Sequence, residues 1–364
     1  MSIKTTIGAL KLALQCVLKA VDTKQVTAEF IDGQLMMHAC ANQGHAKARV
    51  HTEGSLPDMV FPLTGKVVLA IINNCESDTV CTIGLQNEDL RLKFGKASIK
   101  LSRYTEKEVD FFNWTAKDQR TTSVCTFEPA EFRKALAAVA QFHGVDQTRY
   151  QLRGVLLQSM MGQLVLAASN GLRLAEKITD MPTPEFAPVI VGGEYAEALV
   201  GIIKGDELIE FSLVGTTDVI AVVFSTSNFS IKCPLIGGVY PPYRSIIPGR
   251  DRSVTINATS LMVALERMKS VASDQSNFIR LAFKDKALHV LTMDGESSEI
   301  VDAEGVDFEL NLAMQPELFH GLLSSASTEC VCLGVEPSKG AHSFITVENT
   351  DDDGWLGLVT PALV

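Results

Sequence analysis

The chain carries an internal repeat of domain length, and this repeat limits the folds open to it. A helix-like pattern, in which Ala-Leu follows a leucine or phenylalanine by three residues, occurs at residues 10–14, 132–136 and 261–265. An apolar, strand-like stretch follows each copy and is centred on Leu35, Leu164 or Leu288. The copies lie about 120 residues apart, whereas solenoid repeats have roughly 20 to 50 residues. The sequence therefore predicts three copies of one domain.

Each copy also divides into two halves of similar organisation. A short apolar segment precedes a second helix-like run, the segments lying at 61–63, 189–191 and 310–312 and the runs at 67–72, 198–203 and 316–323. Alternating apolar and polar residues with turns between them surround these runs, which is typical of antiparallel sheets with one buried face. Six half-repeats predict an α+β fold of three repeated domains, each with two helices packed on antiparallel sheets. Such units form a curved array when they lie side by side, and a curved array builds a channel or a ring.

Two polar segments rich in turn-forming residues separate the copies. They lie at residues 117–123 and 248–253. The predicted domains are therefore residues 1–121, 122–248 and 249–364, and each has a length in the usual range for one domain.

Composition and cysteine usage indicate a globular protein of a reducing compartment. Hydrophobic residues make up 46% of the chain and charged residues 21%, as in ordinary globular domains. The uncharged stretch 155–172 contains glycine, asparagine and glutamine residues that favour a strand, a turn and a second strand over a membrane-spanning helix. The eight cysteines are scattered without a Cys-x-x-Cys pair, and the N-terminus shows no secretory signal. We therefore expect a cytoplasmic location.

The sequence offers no convincing catalytic or metal-binding pattern. The Ser-Asn-Gly run at 169–171 lacks the preceding glycine of a nucleophile elbow, and the chain has no Gly-x-x-x-x-Gly-Lys-Ser/Thr loop for nucleotide phosphates. His38, His45 and His51 lie near Cys40, yet their spacings match no zinc pattern. We therefore expect a protein that is not an enzyme and that uses no cofactor or metal, with histidines that face solvent or are hydrogen-bonded.

Three segments carry the pattern of a known family. Residues 166–175, Leu-Ala-Ala-Ser-Asn-Gly-Leu-Arg-Leu-Ala, come after the strand-like residues 148–157 and are similar to that family's Ala-Thr-Asp-Gly-His-Arg-Leu-Ala. Residues 235–243, Leu-Ile-Gly-Gly-Val-Tyr-Pro-Pro-Tyr, are similar to its Leu-Ile-Asp-Gly-aromatic-Pro-Asp-Tyr. Residues 357–364, Gly-Leu-Val-Thr-Pro-Ala-Leu-Val, stand in the place of its Val-Met-Pro-Met-Arg-Leu. With its threefold organisation, the chain resembles the bacterial DNA polymerase III beta subunit family, the DNA sliding clamps.

The resemblance implies a non-catalytic processivity factor of DNA replication. A homodimer joined head to tail, the first domain against the third, closes a six-domain ring, because a heterologous contact repeated through a half turn closes on itself. Such a ring encircles double-stranded DNA without reading its sequence, and it tethers the DNA polymerase, the clamp loader and other proteins with a clamp-binding motif. The expected location is the bacterial cytoplasm, at the nucleoid. The alternative is a clamp-like toroidal adaptor that binds partner peptides without being loaded on DNA.

The resemblance also implies a hydrophobic peptide-binding groove between the second and third domains. The positions that match the family's groove are Leu152, Ser169, Gly171, Leu172, Arg173, Leu174, Pro241, Ile246, Leu358, Thr360, Pro361, Ala362, Leu363 and Val364. The leucines and the isoleucine suit an apolar wall, and the prolines fix the backbone beside it. Leu172 stands where the family has histidine, and Thr-Pro-Ala-Leu at 360–363 replaces Met-Pro-Met-Arg. These differences predict a partner motif unlike the family's usual one.

Basic residues of the helices and of segment 148–153 are the candidates for DNA contact. The candidate set is Lys11, Lys19, Arg133, Lys134, Arg149, Tyr150, Arg153, Arg267 and Lys269. The formal net charge of −11 does not exclude this role, because an acidic outer surface repels duplex DNA while basic residues inside a ring still contact phosphates. For each residue the alternative is an ordinary solvated helix face.

Overall fold

The computed structural model describes residues 1–21, 23–41, 44–86, 89–101, 120–249, 251–272, 278–326, 328–351 and 354–362. These residues contain six α-helices: α1 (Ile7–Ala20), α2 (Gly65–Ile72), α3 (Pro129–Ala140), α4 (Gly193–Ile202), α5 (Ala258–Val271) and α6 (Pro316–Leu323). They also contain short 3₁₀ turns at Tyr150–Arg153, Tyr243–Ile246 and Pro337–His342. The α-helices lie at the six positions where the repeat predicts them, so the prediction of two helices in each repeat is confirmed.

The strands of the described residues pair in antiparallel fashion. They are β1 (Ser2–Thr6), β2 (Gln25–Ile31), β3 (Gln34–Ala41), β4 (Gly44–Val50), β5 (Glu53–Ser55), β6 (Met59–Thr64), β7 (Val80–Gln86), β8 (Asp89–Phe94), β9 (Ala97–Lys100), β10 (Thr121–Phe127), β11 (Gly154–Met160), β12 (Gln163–Ser169), β13 (Arg173–Pro182), β14 (Val189–Gly192), β15 (Ile209–Gly215), β16 (Val219–Ser225), β17 (Phe229–Pro234), β18 (Arg252–Asn257), β19 (Ile279–Lys284), β20 (Ala287–Thr292), β21 (Ser298–Glu304), β22 (Leu310–Met314), β23 (Cys330–Val335), β24 (Ile345–Asn349) and β25 (Trp355–Val359).

The uncharged stretch 155–172 lies in β11, a tight turn, β12 and the start of the next turn, as predicted. No helix in the described ranges is long and apolar enough to span a membrane.

The chain folds into two compact units. The first unit contains Met1–Arg133 and Glu194–Leu235, and the second contains Lys134–Gly193 and Ile236–Val364. Both units therefore include part of the predicted middle domain, and the predicted domain bounds stay a prediction.

The first unit is built on two antiparallel sheets. Its smaller sheet has the strand order β5-β1-β7-β8-β9, and its larger sheet has the order β10-β15-β16-β17-β4-β3-β2-β6. In the larger sheet β4 pairs with β17, Lys47 lying opposite Ser230 and His45 opposite Lys232. The hydrogen bonds of this pair join strands of the first predicted domain to strands of the second.

Helix α1 covers β3 and β4 of the first unit. It begins after Thr6, whose Oγ1 atom accepts a hydrogen bond from the Ala9 backbone N–H at 3.2 Å and so caps the helix. Its buried face contains Leu10, Leu14 and Val17, at the spacing of three or four residues that places side chains on one helix face. The helix therefore covers the sheet with its apolar stripe.

The second unit is built on one long antiparallel sheet. Its strand order is β14-β11-β12-β13-β25-β24-β23-β18-β21-β20-β19-β22. Helix α5 packs on β20 and β21 and is capped by Asn257, whose Oδ1 accepts from the Ser260 N–H at 2.9 Å. Within this sheet β13 pairs with β25, which again joins strands of two predicted domains.

Candidate functional site

A tight turn between β12 and β13 presents Leu172 to solvent. The Ser169 hydroxyl donates to the Arg173 carbonyl at 2.9 Å and accepts from the Gly171 N–H at 3.1 Å. The Asn170 side-chain oxygen accepts from the N–H groups of Leu172 and Arg173 at 3.0 and 2.9 Å. Gly171 has a φ of +89°, a left-handed conformation that favours glycine. The turn is thus fixed by its own polar groups, and Leu172 remains 48% exposed.

The pairing of β13 with β25 brings two distant predicted groove segments together. Leu174 lies opposite Leu358 in this pair. Just beyond it, the Thr360 N–H and hydroxyl both donate to the Leu172 carbonyl, at 2.9 and 3.0 Å. The strand register therefore fixes the backbone of the Leu172 turn against the segment that follows β25.

An apolar cluster lies beneath this turn. Its members are Leu152, Leu156, Ala167, Leu174, Ile190, Tyr240, Tyr243 and Leu358. Leu174 and Leu358 are only 1% exposed, so they can form the floor of a groove but offer almost no surface of their own. Among the described residues of the predicted groove set, the exposed apolar side chains are Leu172, Pro241 and Ile246, and Ile246 is 49% exposed.

The segment 240–247 forms the other side of the candidate groove. Tyr240 and Tyr243 are buried edge to face, their ring centroids 6.2 Å apart, and both belong to the apolar cluster. Pro241 is exposed between them, and the 3₁₀ turn Tyr243–Ile246 ends with the exposed Ile246. Two buried aromatic anchors thus hold a short segment whose proline and isoleucine face outward.

An ion pair between a buried carboxylate and a partly exposed guanidinium fastens this segment to β13. The Glu176 carboxylate on β13 is 5% exposed and accepts hydrogen bonds from the Tyr243 hydroxyl and from the Nε and Nη2 atoms of Arg244, the latter two at 2.8 and 2.6 Å. Burial, assisted by the Glu176 carboxylate, raises the pKa of the Tyr243 hydroxyl, which therefore acts as a donor. The sequence interpretation missed Glu176 and Arg244; the signals were an acid inside a strand with apolar neighbours and an arginine directly after the quoted Tyr-Pro-Pro-Tyr run.

Arg173 lies on the opposite face of β13 from Leu174, because successive strand side chains alternate between faces. Its guanidinium lies 4.8 Å from the centre of the Phe142 ring and donates to the Gln141 carbonyl at 3.3 Å. Burial lowers the pKa of this guanidinium. The structure therefore separates Arg173 from the other groove candidates and places it beside the end of α3.

The last described residues continue from β25 along the candidate groove. Thr360, Pro361 and Ala362 are partly exposed, and the Ala362 N–H donates to the Ala313 carbonyl at 2.8 Å in an isolated bridge to β22. Leu363 and Val364, the remaining groove candidates, lie outside the described residues.

The predicted DNA-contact group at 149–153 lies beside the groove turn. The Arg149 guanidinium occupies the space that a Cβ on Gly171 would take. The Tyr150 hydroxyl oxygen lies 3.1 Å from the position that a Cβ on Gly238 would take. Leu152 belongs to the apolar cluster, while Arg153 is exposed. Arg149 and Tyr150 are therefore placed to meet a ligand of the groove.

The other DNA-contact candidates differ in whether their charged group already has a hydrogen bond or an ion pair within the chain. Lys11 donates to the Asn73 carbonyl at 3.0 Å. Ion pairs join Arg267 to Glu299 at 2.7 Å and Lys269 to Glu317 at 2.8 Å. Lys19 on α1 and Arg133 and Lys134 on α3 are exposed at the surface, and Lys134 also has a partner within the chain. Arg267 and Lys269 would have to exchange a protein carboxylate for a phosphate.

The three histidines named from the sequence are hydrogen-bonded. The His38 ring lies 2.9 Å from a Glu29 carboxylate oxygen and 3.3 Å from the His45 ring nitrogen, and His51 lies 3.0 Å from the Asn228 side-chain oxygen. All eight cysteines are free thiols. Across the described part of the chain, no cluster of three or more His, Cys, Asp or Glu residues could hold a metal ion.

Comparison with known proteins gives the same family by three routes. The family profile described as "DNA polymerase III beta subunit, central domain" matches residues 126–242. The beta sliding clamp of Pseudomonas putida is 21% identical over 316 residues, which cover 85% of this chain and 83% of that protein. The beta sliding clamp of Synechococcus elongatus is 31% identical over 198 residues, 50% of this chain and 52% of that protein.

Two solved structures share the fold over the full length of this chain. The DNA polymerase sliding clamp of Pseudomonas aeruginosa has a TM-score of 0.87 at 20% identity and is covered to 100%. The DNA polymerase III beta subunit of Thermotoga maritima has a TM-score of 0.86 at 17% identity and is covered to 99%. The predicted α+β clamp fold is therefore confirmed. The profile, the sequence relatives and the fold thus agree in the family to which this chain is similar, the DNA polymerase III beta subunits or DNA sliding clamps.

Proposed function

We propose that this chain is a DNA sliding clamp, that it encircles duplex DNA as a head-to-tail dimer in the bacterial cytoplasm, and that it recruits a DNA polymerase, a clamp loader and other partners through one apolar groove. The observation that carries the groove is the exposure of Leu172 and Ile246 beside a buried apolar cluster. An extended peptide with one or two apolar anchors fits such a surface, since few residues carry most of the affinity of a peptide interface.

The position of Arg149 and Tyr150 supports a polar rim on this groove. Both side chains lie against glycines of the turns on either side, Gly171 and Gly238. A guanidinium at this place can bind a carboxylate of the partner peptide. We therefore assign Arg149 and Tyr150 to partner binding in addition to the DNA role predicted from the sequence.

Titration of a fluorescent peptide that ends in a typical clamp-binding motif tests the groove. Leu172→Asp should weaken binding by about tenfold or more, because it places a charge where an apolar anchor is expected. Met161→Asp is the matched control: Met161 is 95% exposed in the β11–β12 turn of the same unit. Equal affinity of the wild type and Leu172→Asp would contradict the groove.

The repeated strand pairing supports the head-to-tail dimer. In each half-repeat we number the strands that follow the helix. The third such strand of one half-repeat pairs with the third such strand of another in two places, β4 with β17 and β13 with β25. The two remaining third strands are β9 and β21. One edge of β9 and one edge of β21 over residues 298–302 have no strand partner among the described residues. A β9–β21 pair between two copies would repeat the same pairing.

Charge supports the same pair of edges. The acidic residues of β21 and of the turn before it are Asp294, Glu296, Glu299, Asp302 and Glu304. The basic residues of β8, β9 and the turn between them are Arg91, Lys93, Lys96 and Lys100. Opposite charge at two edges favours their association over that of like edges. Light scattering should give twice the 39.4 kDa mass of one chain.

Retention on DNA separates the clamp from the adaptor alternative. A closed ring stays on circular DNA through gel filtration and slides off after the DNA is linearised. An adaptor that is never loaded shows no retention on either form. Retention on circular DNA alone is the result expected for this protein.

A further inference from the structure

The turn that carries Leu172 contains the single Asn-Gly pair of the sequence, Asn170-Gly171. An asparagine before glycine is prone to ring closure, because the backbone nitrogen of a residue without a side chain can approach the carboxamide carbon closely. Asn170 is partly exposed, and Gly171 is exposed with a φ of +89°. Water therefore reaches both residues.

Two backbone N–H groups already point at the oxygen on which negative charge develops during such a ring closure. The Asn170 Oδ1 atom accepts from the N–H groups of Leu172 and Arg173 at 3.0 and 2.9 Å. These are the distances at which donors stabilise the oxyanion of a tetrahedral intermediate. The exposed Arg149 guanidinium adds positive charge beside Gly171, where it favours loss of the amide proton. The groups that fix the turn thus also activate the Asn170 carboxamide.

We propose that Asn170-Gly171 is a self-modification site, at which the folded turn promotes deamidation of Asn170. The Gly171 nitrogen forms a bond to the Asn170 Cγ atom, the Cγ–Nδ2 bond breaks, and ammonia leaves with the proton that the Gly171 nitrogen gives up. Water then opens the cyclic imide, supplying the hydroxyl of the new acid and returning a proton to the Gly171 nitrogen. Opening at Cγ gives aspartate, whereas opening at the Asn170 backbone carbonyl gives isoaspartate.

The two products affect the turn differently. Aspartate keeps an acceptor at the position of Oδ1, and it is the residue that the family's Ala-Thr-Asp-Gly pattern has at position 170. In isoaspartate the former side-chain carbonyl becomes part of the main chain, so the N–H groups of Leu172 and Arg173 lose their acceptor. Leu172 is then no longer held beside the apolar cluster. Isoaspartate at position 170 therefore inactivates the groove, and this consequence alone rests on the function proposed above.

Peptide mapping by mass spectrometry measures the modification in the full chain, incubated at mildly alkaline pH either folded or in urea. Asn170 should deamidate about tenfold faster in the folded chain, because the two N–H donors are in place only in the turn. Asn228 and Asn311 are the internal references, since both are exposed and precede a residue with a side chain. Asn170→Ser cannot form the ring and should show no new acid at this position. A folded rate equal to or below the denatured rate would overturn the proposal.

Titration with the fluorescent clamp-motif peptide measures the consequence for the groove. Aged wild type should lose binding capacity in proportion to its isoaspartate content, whereas Asn170→Ser should keep through the same incubation the capacity it has when fresh. Full capacity in aged wild type that contains isoaspartate would overturn the effect on the groove. If fresh wild type binds no peptide, the proposed function fails, while the ratio of folded to denatured rates still decides the deamidation.

Discussion

The guanidinium of Arg173 occupies the space where a Cβ on Gly321 would stand. Arg173 begins β13 and Gly321 lies in α6, so this contact fastens the helix to the strand that carries the Leu172 turn. The same guanidinium stacks on Phe142 and reaches the Gln141 carbonyl. One arginine therefore joins three segments of the second unit on the face opposite the candidate groove.

Gly321→Ala should stabilise the protein less than a glycine-to-alanine change usually does inside a helix. Alanine gains about 1 kcal/mol over glycine there, but the new methyl group must displace the end of the Arg173 side chain from Phe142 and from the Gln141 carbonyl, which offsets part of this gain. In the Arg173→Met background the overlap is relieved, and the same substitution should give the full stabilisation. Urea unfolding of the four proteins measures this cycle; an equal effect of Gly321→Ala in both backgrounds would show that the two residues do not interact.

Glu176→Gln should weaken both the fold of the second unit and partner binding. The change leaves the Arg244 guanidinium without its carboxylate in a partly buried place, at a cost of about 1–3 kcal/mol. Because Arg244 and Tyr243 hold the segment with Pro241 and Ile246, peptide affinity should fall as well. Glu210→Gln is a control, since Glu210 is an exposed acid on β15 of the other unit. Unchanged peptide affinity in Glu176→Gln would mean that the ion pair does not position the groove.

Reversal of charge at the two proposed edges should weaken the dimer. Lys100→Glu on β9 and Asp302→Lys on β21 each place like charges across the proposed pair, and each should raise the dimer dissociation constant about tenfold. The two substitutions combined restore opposite charges and should recover part of the affinity. Analytical ultracentrifugation gives the constants. Additive losses in the combined variant would argue against a β9–β21 contact.

Acid should destabilise the first unit through His45. Burial above all, together with the charges of His38, Lys47 and Lys232, lowers the pKa of His45 to about 3, against an ordinary value of 6.5. As the pH falls from about 6.5 towards 3, the unfolded chain binds a proton that the folded chain does not, so stability decreases over this window. In His45→Gln the free energy of unfolding should depend less on pH. Unfolding curves at pH 7 and pH 4.5 measure this free energy for both proteins. An equal difference between the two pH values in both proteins would exclude His45 as the cause.

The sequence predicted the helices because their apolar spacing repeats. Leu10, Phe132 and Leu261 start equivalent patterns, and each lies on the buried face of a helix in the structure. It also predicted the strand-turn-strand at 155–172 from its glycine and amide residues. These features depend on neighbours along the chain, which a sequence pattern records.

The sequence did not predict contacts between distant segments. Glu176 and Arg244 are 68 residues apart, and only the fold brings their charges together. Arg173 was grouped with Leu172 and Leu174 by resemblance, although the alternation of strand side chains places it on the opposite face. The ion pair of Lys269 with Glu317 likewise depends on the packing of α5 against α6.

The two strand pairs β4–β17 and β13–β25 have a consequence for how the molecule comes apart. Each pair places backbone hydrogen bonds between two predicted domains. Cleavage at a predicted domain boundary followed by separation of the fragments would therefore leave an unpaired strand on both fragments. A fragment ending at residue 248 would expose the edge of β13 over residues 173–177, and an exposed edge pairs readily with another strand. The stability of each repeat therefore depends on its neighbour, because the strand pairs between repeats break when either one unfolds.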